Sequence, residues 1–258
     1  MARVSSYHPA HPFHLEALYF ARIRNRIVRP LRMMTYRALM PVVNAYRAPS
    51  ERTDDLDPFI TAIGEVQIRY GEAVDVHQEA IDLADEMAPK VEAFTLAQQA
   101  KSLRVLGIDA VGKDLFLTMA RQQWTQANVN LITSIPRDFF PRVQRDVIQA
   151  VHSGMRHETL AKEIRQHIVG DGMSPGLADS RARLIARDQI SKYNGALAEQ
   201  QQRAVGLDTY QWSATHDRRT RETHLALDGT MQKWSNPPSI GHPGEPIQCR
   251  CVALAVLP

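Results

Sequence analysis

A pair of cysteines separated by one residue closes a histidine-rich stretch near the end of the sequence. Cys249 and Cys251 are the only cysteines among the 258 residues, and His224 lies upstream of them. Thiolates and neutral imidazoles are ligands that Zn²⁺ prefers in proteins, and a structural zinc ion takes four of them in a tetrahedron. The Pro/Gly-rich segment that follows His224 is long enough to bring these side chains together. The pattern predicts a zinc site with His224, Cys249 and Cys251 as ligands.

A fourth ligand for this site must come from a nearby side chain. The candidates are His216, Asp217 and His242, and we assign His216. The C-x-C spacing is tighter than the C-x-x-C spacing of most zinc motifs, so the predicted site is an irregular one.

Two other interpretations of the same residues stay open. In the first, the cysteines are buried and metal-free at the start of a core strand, Asp217, Arg219 and Arg221 form a salt-bridge cluster, and Gly229 belongs to a turn. In the second, the cluster is catalytic. Histidines act as acid and base while arginines neutralise a phosphate, as in a metal-free nuclease, or a cysteine and a histidine form a nucleophilic pair.

The elements that must position these residues are mostly helices. Apolar residues recur at helical spacing from residue 14 onward. Breaks are predicted at Pro30, Pro41 and Pro136, and a kink or restart at Pro89. The last long helix stops at Gly206. Alternating strand formers appear only after that point. The fold class is therefore α+β: helical N-terminal and middle regions precede a small C-terminal domain with a short antiparallel sheet. The strand candidates are Thr209–Trp212, Met231–Trp234 and Cys251–Leu257.

Charge divides the chain more clearly than its net value of +3 indicates. Residues 1–50 contain eight arginines and one glutamate, whereas residues 51–100 contain twelve acidic and three basic residues. A turn-rich acidic stretch lies at the junction. We therefore predict three parts: a basic arginine-rich arm at 1–50, a helical domain at 51–174, and a C-terminal α+β domain at 175–258. The first 14 residues contain few apolar side chains and predict a poorly ordered end.

The basic arm admits three interpretations. Its face is either solvated, docked on an acidic protein, or in contact with nucleic acid, because a guanidinium forks onto the paired oxygens of phosphates and carboxylates. Lysine is absent from the arm, and apolar residues share its helix, which favours protein docking at least as strongly as DNA contact. The candidate DNA-binding residues are Arg22, Arg24, Arg26, Arg29 and Arg32.

Composition narrows the class of protein. With 44% hydrophobic and 23% charged residues, the chain is typical of a soluble globular protein. No apolar run is long enough to cross a bilayer, so we expect no membrane association. The N-terminal residues lack the pattern of a secretory signal, which predicts a reducing cytoplasm.

The C-terminal half resembles the Mu F-like minor head proteins of tailed bacteriophages. The resemblance covers about residues 125–258, and Asp188-Gln189 departs from the family's tendency toward Thr or Asn followed by Glu. It is carried by Ile185-Ala186-Arg187, Asn194, Gly206, Trp212, Asp217-x-Arg219-x-Arg221-x-x-His224, Leu227-Asp228-Gly229 and Cys249-Arg250-Cys251.

This resemblance implies a non-enzymatic minor capsid protein that acts in head morphogenesis. Such a protein lies inside the virion near the portal vertex in a few copies, after assembly in the host cytoplasm. Its implied partner is the portal protein, with packaged DNA and the major capsid protein as possible neighbours, and its implied role is in head assembly, DNA packaging or ejection. The alternative is a nucleic-acid-cleaving or toxin-like module attached to a head protein.

Overall fold

The computed structural model describes residues 2–46, 56–110, 114–170 and 175–258. Helices dominate, and four short strands form one antiparallel sheet, which confirms the predicted α+β class. No helix within these described ranges is both long enough and apolar enough to span a bilayer.

The helices run in chain order, and a π-helical segment at Arg24–Val28 separates the first two. They are α1 (Phe13–Ile23), α2 (Arg29–Ala45), α3 (Asp57–Ala73), α4 (Val76–Val105), α5 (Asp114–His152), α6 (His157–Ile168), α7 (Leu177–Ala204) and α8 (Glu222–Leu225). The strands are β1 (Arg3–Val4), β2 (Thr209–Ser213), β3 (Met231–Lys233) and β4 (Val252–Leu257).

The chain forms two compact units, and each is built from separate stretches of sequence. The first unit consists of Met1–Tyr19, Ala84–Asn128 and Ala186–Pro258, and the second of Phe20–Leu83 and Val129–Ile185. The boundaries predicted after residues 50 and 174 both fall at residues outside the described ranges. The three-part division therefore stays a prediction about which segments fold independently.

The sheet belongs to the first unit and has the strand order β1-β4-β2-β3. In β2 the side chains alternate, so that Tyr210 and Trp212 point into the core. Strand β4 lies between two neighbours and is almost entirely buried. Its partner β1 corrects the prediction of a poorly ordered N-terminal end, because Arg3 pairs with Leu257 and Val4 with Val256.

Three helices continue through prolines at which a break or a restart was predicted. Helix α4 includes Pro89, and α5 runs for 39 residues through Pro136 and Pro141. The breaks predicted at Pro41 and Pro136 are therefore wrong, since both prolines lie inside helices, and Pro30 lies in the first turn of α2. Helix α4 does not restart at Pro89. A proline removes one helical hydrogen bond, and around Pro136 the burial of Ile132, Ile135 and Phe139 offsets that loss.

The second unit is helical. Helix α2 packs on α3 and α6, and the core between them holds residues such as Leu31, Phe59 and Ile63. The Tyr70 hydroxyl donates a hydrogen bond to the Ile27 carbonyl at 3.1 Å, inside the π-helical segment. These contacts give the arginines of the arm a folded scaffold.

Candidate metal centre

The three predicted ligands come from two places in the first unit. His224 lies on α8, a single helical turn that begins after Arg221. Cys249 lies in the loop ahead of β4, and Cys251 directly precedes that strand. All three side chains are buried, with 3–4% of their surface exposed.

The ligand atoms of these residues converge to within 4.8 Å of one another. Nδ1 of His224 is 3.4 Å from Sγ of Cys251 and 3.6 Å from Sγ of Cys249. A tetrahedral zinc ion with bonds of about 2.0–2.1 Å to nitrogen and 2.3 Å to sulfur separates such atoms by about 3.6 Å. The two distances from Nδ1 to the sulfurs therefore fit the ligand spacing around a zinc ion.

The two thiols differ in their readiness to ionise. A hydrogen bond from Cys251 lowers the pKa of Cys249, and the Gly244 N–H, 3.4 Å from that sulfur, acts in the same direction. The same hydrogen bond and then burial raise the pKa of Cys251. Cys249 is therefore the thiol that ionises more readily, and a bound cation would favour the ionised form of both.

His224 is kept neutral by its surroundings. Burial, and then the positive charge of Arg221, lower the pKa of its imidazole. A neutral imidazole is the form that binds a metal. However, Nη1 of Arg221 lies 3.3 Å from Nε2 of His224. If that guanidinium donates to Nε2, the proton of the ring is on Nδ1 and faces the sulfurs, so metal binding requires the proton to leave Nδ1.

None of the three candidates for a fourth ligand joins the group among the residues that the structure describes. His216 is exposed, and its Nε2 is 2.9 Å from Oδ2 of Asp228. The buried His242 uses Nδ1 in a 2.9 Å hydrogen bond with the Tyr210 hydroxyl. Asp217 accepts hydrogen bonds from the Arg219 N–H and the Thr220 hydroxyl. The choice of His216 as fourth ligand therefore stays a prediction.

The segment between β2 and β3 is shaped by four residues of the sequence motif, which are Asp217, Arg219, Arg221 and Gly229. Asp217 holds the turn by accepting the Arg219 N–H at 2.8 Å. Arg221 donates to the Ile247 carbonyl at 2.7 Å and so links α8 to the cysteine loop. Gly229 has a φ of +74° and donates to the Trp212 carbonyl. Its positive φ explains the glycine.

The cysteine loop sits directly on helix α7. A Cβ added to Gly195 would lie 2.4 Å from the Pro243 carbonyl oxygen, and one added to Gly244 would lie 2.6 Å from the Ser191 carbonyl oxygen. Gly244 also has a φ of +96°. Two glycines thus allow the backbones to touch, and this contact places the Gly244 N–H against Cys249.

A pocket of about 120 Å³ opens beside the three ligands. His224, Cys249 and Cys251 lie in its wall together with four arginines, which are Arg187, Arg219, Arg221 and Arg250. Only one acidic side chain, Asp217, is found among the described residues of the wall. A metal bound by the three ligands would keep a coordination position open to a cationic pocket.

Comparison with known proteins identifies the region that contains this site. Residues 141–254 match the family described as Phage Mu protein F like protein. These residues, which make up less than half of the chain, are similar to the Mu F-like family. The family is one of structural proteins of phage head morphogenesis.

A protein of similar sequence matches a longer part of the chain than the family does. An uncharacterized protein of Haemophilus influenzae is 40% identical over 134 residues, which are 52% of this chain and 28% of that protein. The chain thus matches little more than a quarter of its relative's length. No solved structure matches the chain.

Sequence reasoning gave too little weight to three residues around the Mu F-like site. The sequence pattern predicted Arg187 and Arg250 only as parts of family motifs, and it did not predict a role for Gly195. The signal was present, because Arg187, Ser191 and Gly195 recur at intervals of four on α7 and therefore share one face. That face meets the cysteine loop and the pocket.

The predicted DNA-binding arginines lie outside the Mu F-like match, in the second unit. Arg24 and Arg32 pair with the buried carboxylate of Asp179, and Arg26 lies 3.5 Å from Glu79. Arg32 also donates to the Val169 carbonyl at 2.6 Å. Arg22 and Arg29 are exposed. Contact with DNA stays a prediction for all five.

Proposed function

We propose that this chain is a minor head component of a tailed phage, held inside the virion at the portal vertex. The match of residues 141–254 to the Mu F-like family carries the proposal. In this role the protein binds the portal protein in a few copies. It lies near packaged DNA and the major capsid protein, and it assists head assembly, packaging or ejection without catalysing a reaction.

Two surface features of the chain support a role in binding a partner. The exposed arginines of α1 and α2 offer charge to an acidic protein surface or to DNA. Several exposed apolar side chains, among them Ile68 and Met119, offer contact area.

Purified particles test this function. We expect mass spectrometry to find the chain in mature or immature heads at far fewer copies than the major capsid protein, and cross-linking to join it to the portal protein. Particles that assemble normally and contain none of the chain would contradict the proposal. Cross-links to the major capsid protein alone would contradict a position at the portal vertex.

We further propose that the His224, Cys249 and Cys251 group binds zinc as a structural staple. Small sheets with long loops gain much of their stability from such ions. Elemental analysis of protein purified without chelator should find about one zinc per chain. We expect Cys249→Ser and Cys251→Ser to lose it, whereas His157→Ala, a change on α6, keeps it. Metal-free wild-type protein with unchanged stability would contradict the staple.

The fourth ligand is a separate question. We propose that the His216 ring leaves Asp228 when zinc binds and completes the site. Zinc affinity that falls in His216→Ala, but not in His242→Ala, would support this assignment. Equal affinity in His216→Ala and wild type would leave the position to water or to an exogenous ligand.

A nucleic-acid-cleaving module is the second candidate function. The observation in its favour is that three protein ligands, the full set among the described residues, meet at a pocket rich in arginine. Catalytic zinc sites likewise use three protein ligands and keep one position open. Incubation with plasmid DNA and RNA, with and without Zn²⁺ or Mg²⁺, tests it. Cleavage that disappears in His224→Ala and persists in His157→Ala would replace the structural role with a catalytic one.

The proposed contact between the arm and DNA needs point substitutions rather than a truncation. A chain that lacks residues 1–50 would also lose β1 and buried residues such as Leu15 and Tyr19. Replacing Arg22 and Arg29 by glutamine removes exposed charge and leaves the pairs with Asp179 in place. If these arginines bind phosphates, the slope of log affinity against log salt should fall by about 0.9 for each phosphate that the variant no longer neutralises. An unchanged slope would contradict phosphate contact and leave protein docking or a solvated face.

A further inference from the structure

The pocket beside the metal ligands carries more positive charge than its own residues neutralise. Its wall contains four arginines and one acid. Asp217 lies 3.6 Å from Nη1 of Arg250, and Arg250 is also bound by Glu16. No acidic partner among the described residues is within ion-pair distance of Arg187, Arg219 or Arg221.

Two buried polar atoms in the same wall lack a hydrogen-bond partner among the residues described. They are Nε of Arg187 and Oγ1 of Thr215. A buried donor left unsatisfied costs about 1–3 kcal/mol, and folded proteins rarely leave one without a reason. Arg187 projects from the middle of α7, and Thr215 lies in the loop two residues after the end of β2.

The surroundings of Arg187 disfavour its charged form. Burial, and then the neighbouring charge of Arg250, lower the pKa of its guanidinium. An anion in the pocket would reverse both effects, because it supplies the missing countercharge and accepts a hydrogen bond from the buried Nε.

We propose that this pocket binds a phosphate group, with Arg187 and Thr215 as its buried donors and Arg219 and Arg221 as its exposed cations. Guanidinium forks match the paired oxygens of a tetrahedral phosphate, and a hydroxyl donates to a third oxygen. The pocket volume is several times that needed for one water molecule, which leaves room for such a group. The site is separate from the head-assembly function and does not depend on it.

Titration calorimetry with inorganic phosphate on the full chain tests the site. Chloride is exchanged for phosphate at constant ionic strength, so that general screening does not change. We expect saturable binding at one site per chain. Arg187→Gln should weaken it by at least about tenfold, because a charge-assisted hydrogen bond contributes about 1.5–3 kcal/mol.

Arg219→Gln and Arg218→Gln form the decisive pair, since they remove the same charge from adjacent exposed positions. Arg219 lies in the pocket wall, whereas Arg218 does not. We expect weaker phosphate binding in Arg219→Gln and wild-type binding in Arg218→Gln. This pair also keeps the test valid if Arg187→Gln fails to fold. Equal losses in Arg218→Gln and Arg219→Gln, or no binding by the wild type, would overturn the proposal.

Two oligonucleotides distinguish the sources of the phosphate. A short single strand with a 5′-phosphate that binds better than the same strand without it would assign a terminal or free phosphate, and equal binding would assign the backbone. Each titration is repeated with a chelator. Binding that vanishes with the metal but survives Arg187→Gln would show that the metal alone holds the anion, and the pocket proposal would be wrong. None of these results depends on whether the chain is found in phage heads.

Discussion

Arg250 shows how one side chain of the C-x-C motif fixes the site. It lies between the two cysteines and reaches Glu16, 234 positions earlier in the chain, with its guanidinium 4.8 Å from the centre of the Phe13 ring. Burial raises the pKa of Glu16, but hydrogen bonds with His11 and Arg250 lower it by more. The net shift of the pKa is therefore downward. The motif arginine is therefore an anchor as well as a pocket residue.

Glu16→Gln should destabilise the first unit by about 2 kcal/mol near neutral pH, since it leaves a half-buried guanidinium without its main partner. The folded state lowers the pKa of Glu16, so its contribution is complete above the ordinary value of 4.5 and is lost as the pH falls through the lower folded value. The difference in unfolding free energy from wild type should therefore shrink below pH 4.5.

Urea unfolding of both proteins from pH 7 to pH 3 measures this difference. Glu65→Gln is the control, because Glu65 forms an exposed i,i+4 pair with Arg69 and its removal should cost less than about 0.5 kcal/mol. A difference for Glu16→Gln that stays constant with pH would show that the pair with Arg250 adds little.

For individual residues, the sequence predicted which side chains could bind a metal better than it predicted their hydrogen-bond partners. The types and order of His224, Cys249 and Cys251 were enough to predict a group with metal-ligand spacing. The partners of His216 and His242 were not predictable, because Asp228 and Tyr210 become neighbours only when the turns and the sheet have formed.

Helix α7 and the cysteine loop form the element that holds the site. Gly195→Ala should destabilise the protein by at least about 2 kcal/mol, because the new methyl group meets a carbonyl oxygen of the loop rather than a side chain that can move. Zinc binding should weaken in parallel, since Gly244 and Cys249 must shift together.

Gly64→Ala is the matched control for this substitution. Gly64 is also inside a helix, but an added Cβ meets nothing within 4 Å. Its replacement should stabilise the protein by about 0.5–1 kcal/mol. Thermal unfolding and zinc titration of both variants check the prediction, and equal behaviour of the two variants would contradict a close backbone contact at Gly195.

Element types were largely predictable from periodicity, whereas several element ends were not. The predicted strands at 209–212, 231–234 and 251–257 agree with β2, β3 and β4 to within a residue. The prolines gave wrong helix ends because their local cost is smaller than the burial that a long helix gains. Whether a helix survives a proline depends on packing partners far away in sequence.

Residues 2–10, which the sequence predicted to be a poorly ordered end, contribute several contacts to the first unit. Besides the pairing of β1 with β4, the Ser5 hydroxyl donates to the Ser102 carbonyl at 2.9 Å and the Tyr7 hydroxyl to Gln98 at 2.6 Å. Such contacts are invisible to periodicity, since a two-residue strand has no pattern of its own.

Deleting residues 2–10 should therefore lower the stability of the first unit by about 2 kcal/mol or more, from the loss of several hydrogen bonds and the exposure of the β4 edge. Thermal unfolding followed by tryptophan fluorescence monitors this change, because Trp212 and Trp234 lie in the core beside β4. His8→Ala is the control. A deletion that unfolds at the wild-type temperature would restore the interpretation of a loose end.

Because Arg3 faces Leu257 across the ladder, the two extremities of the described fold emerge side by side, about 5 Å apart at their Cα atoms. Polypeptide that continued before Arg3 and polypeptide that continued after Leu257 would leave the fold at the same edge of the sheet. A force that pulls on either extremity is applied first to this short ladder, so β1 would peel away before the cysteine loop is loaded.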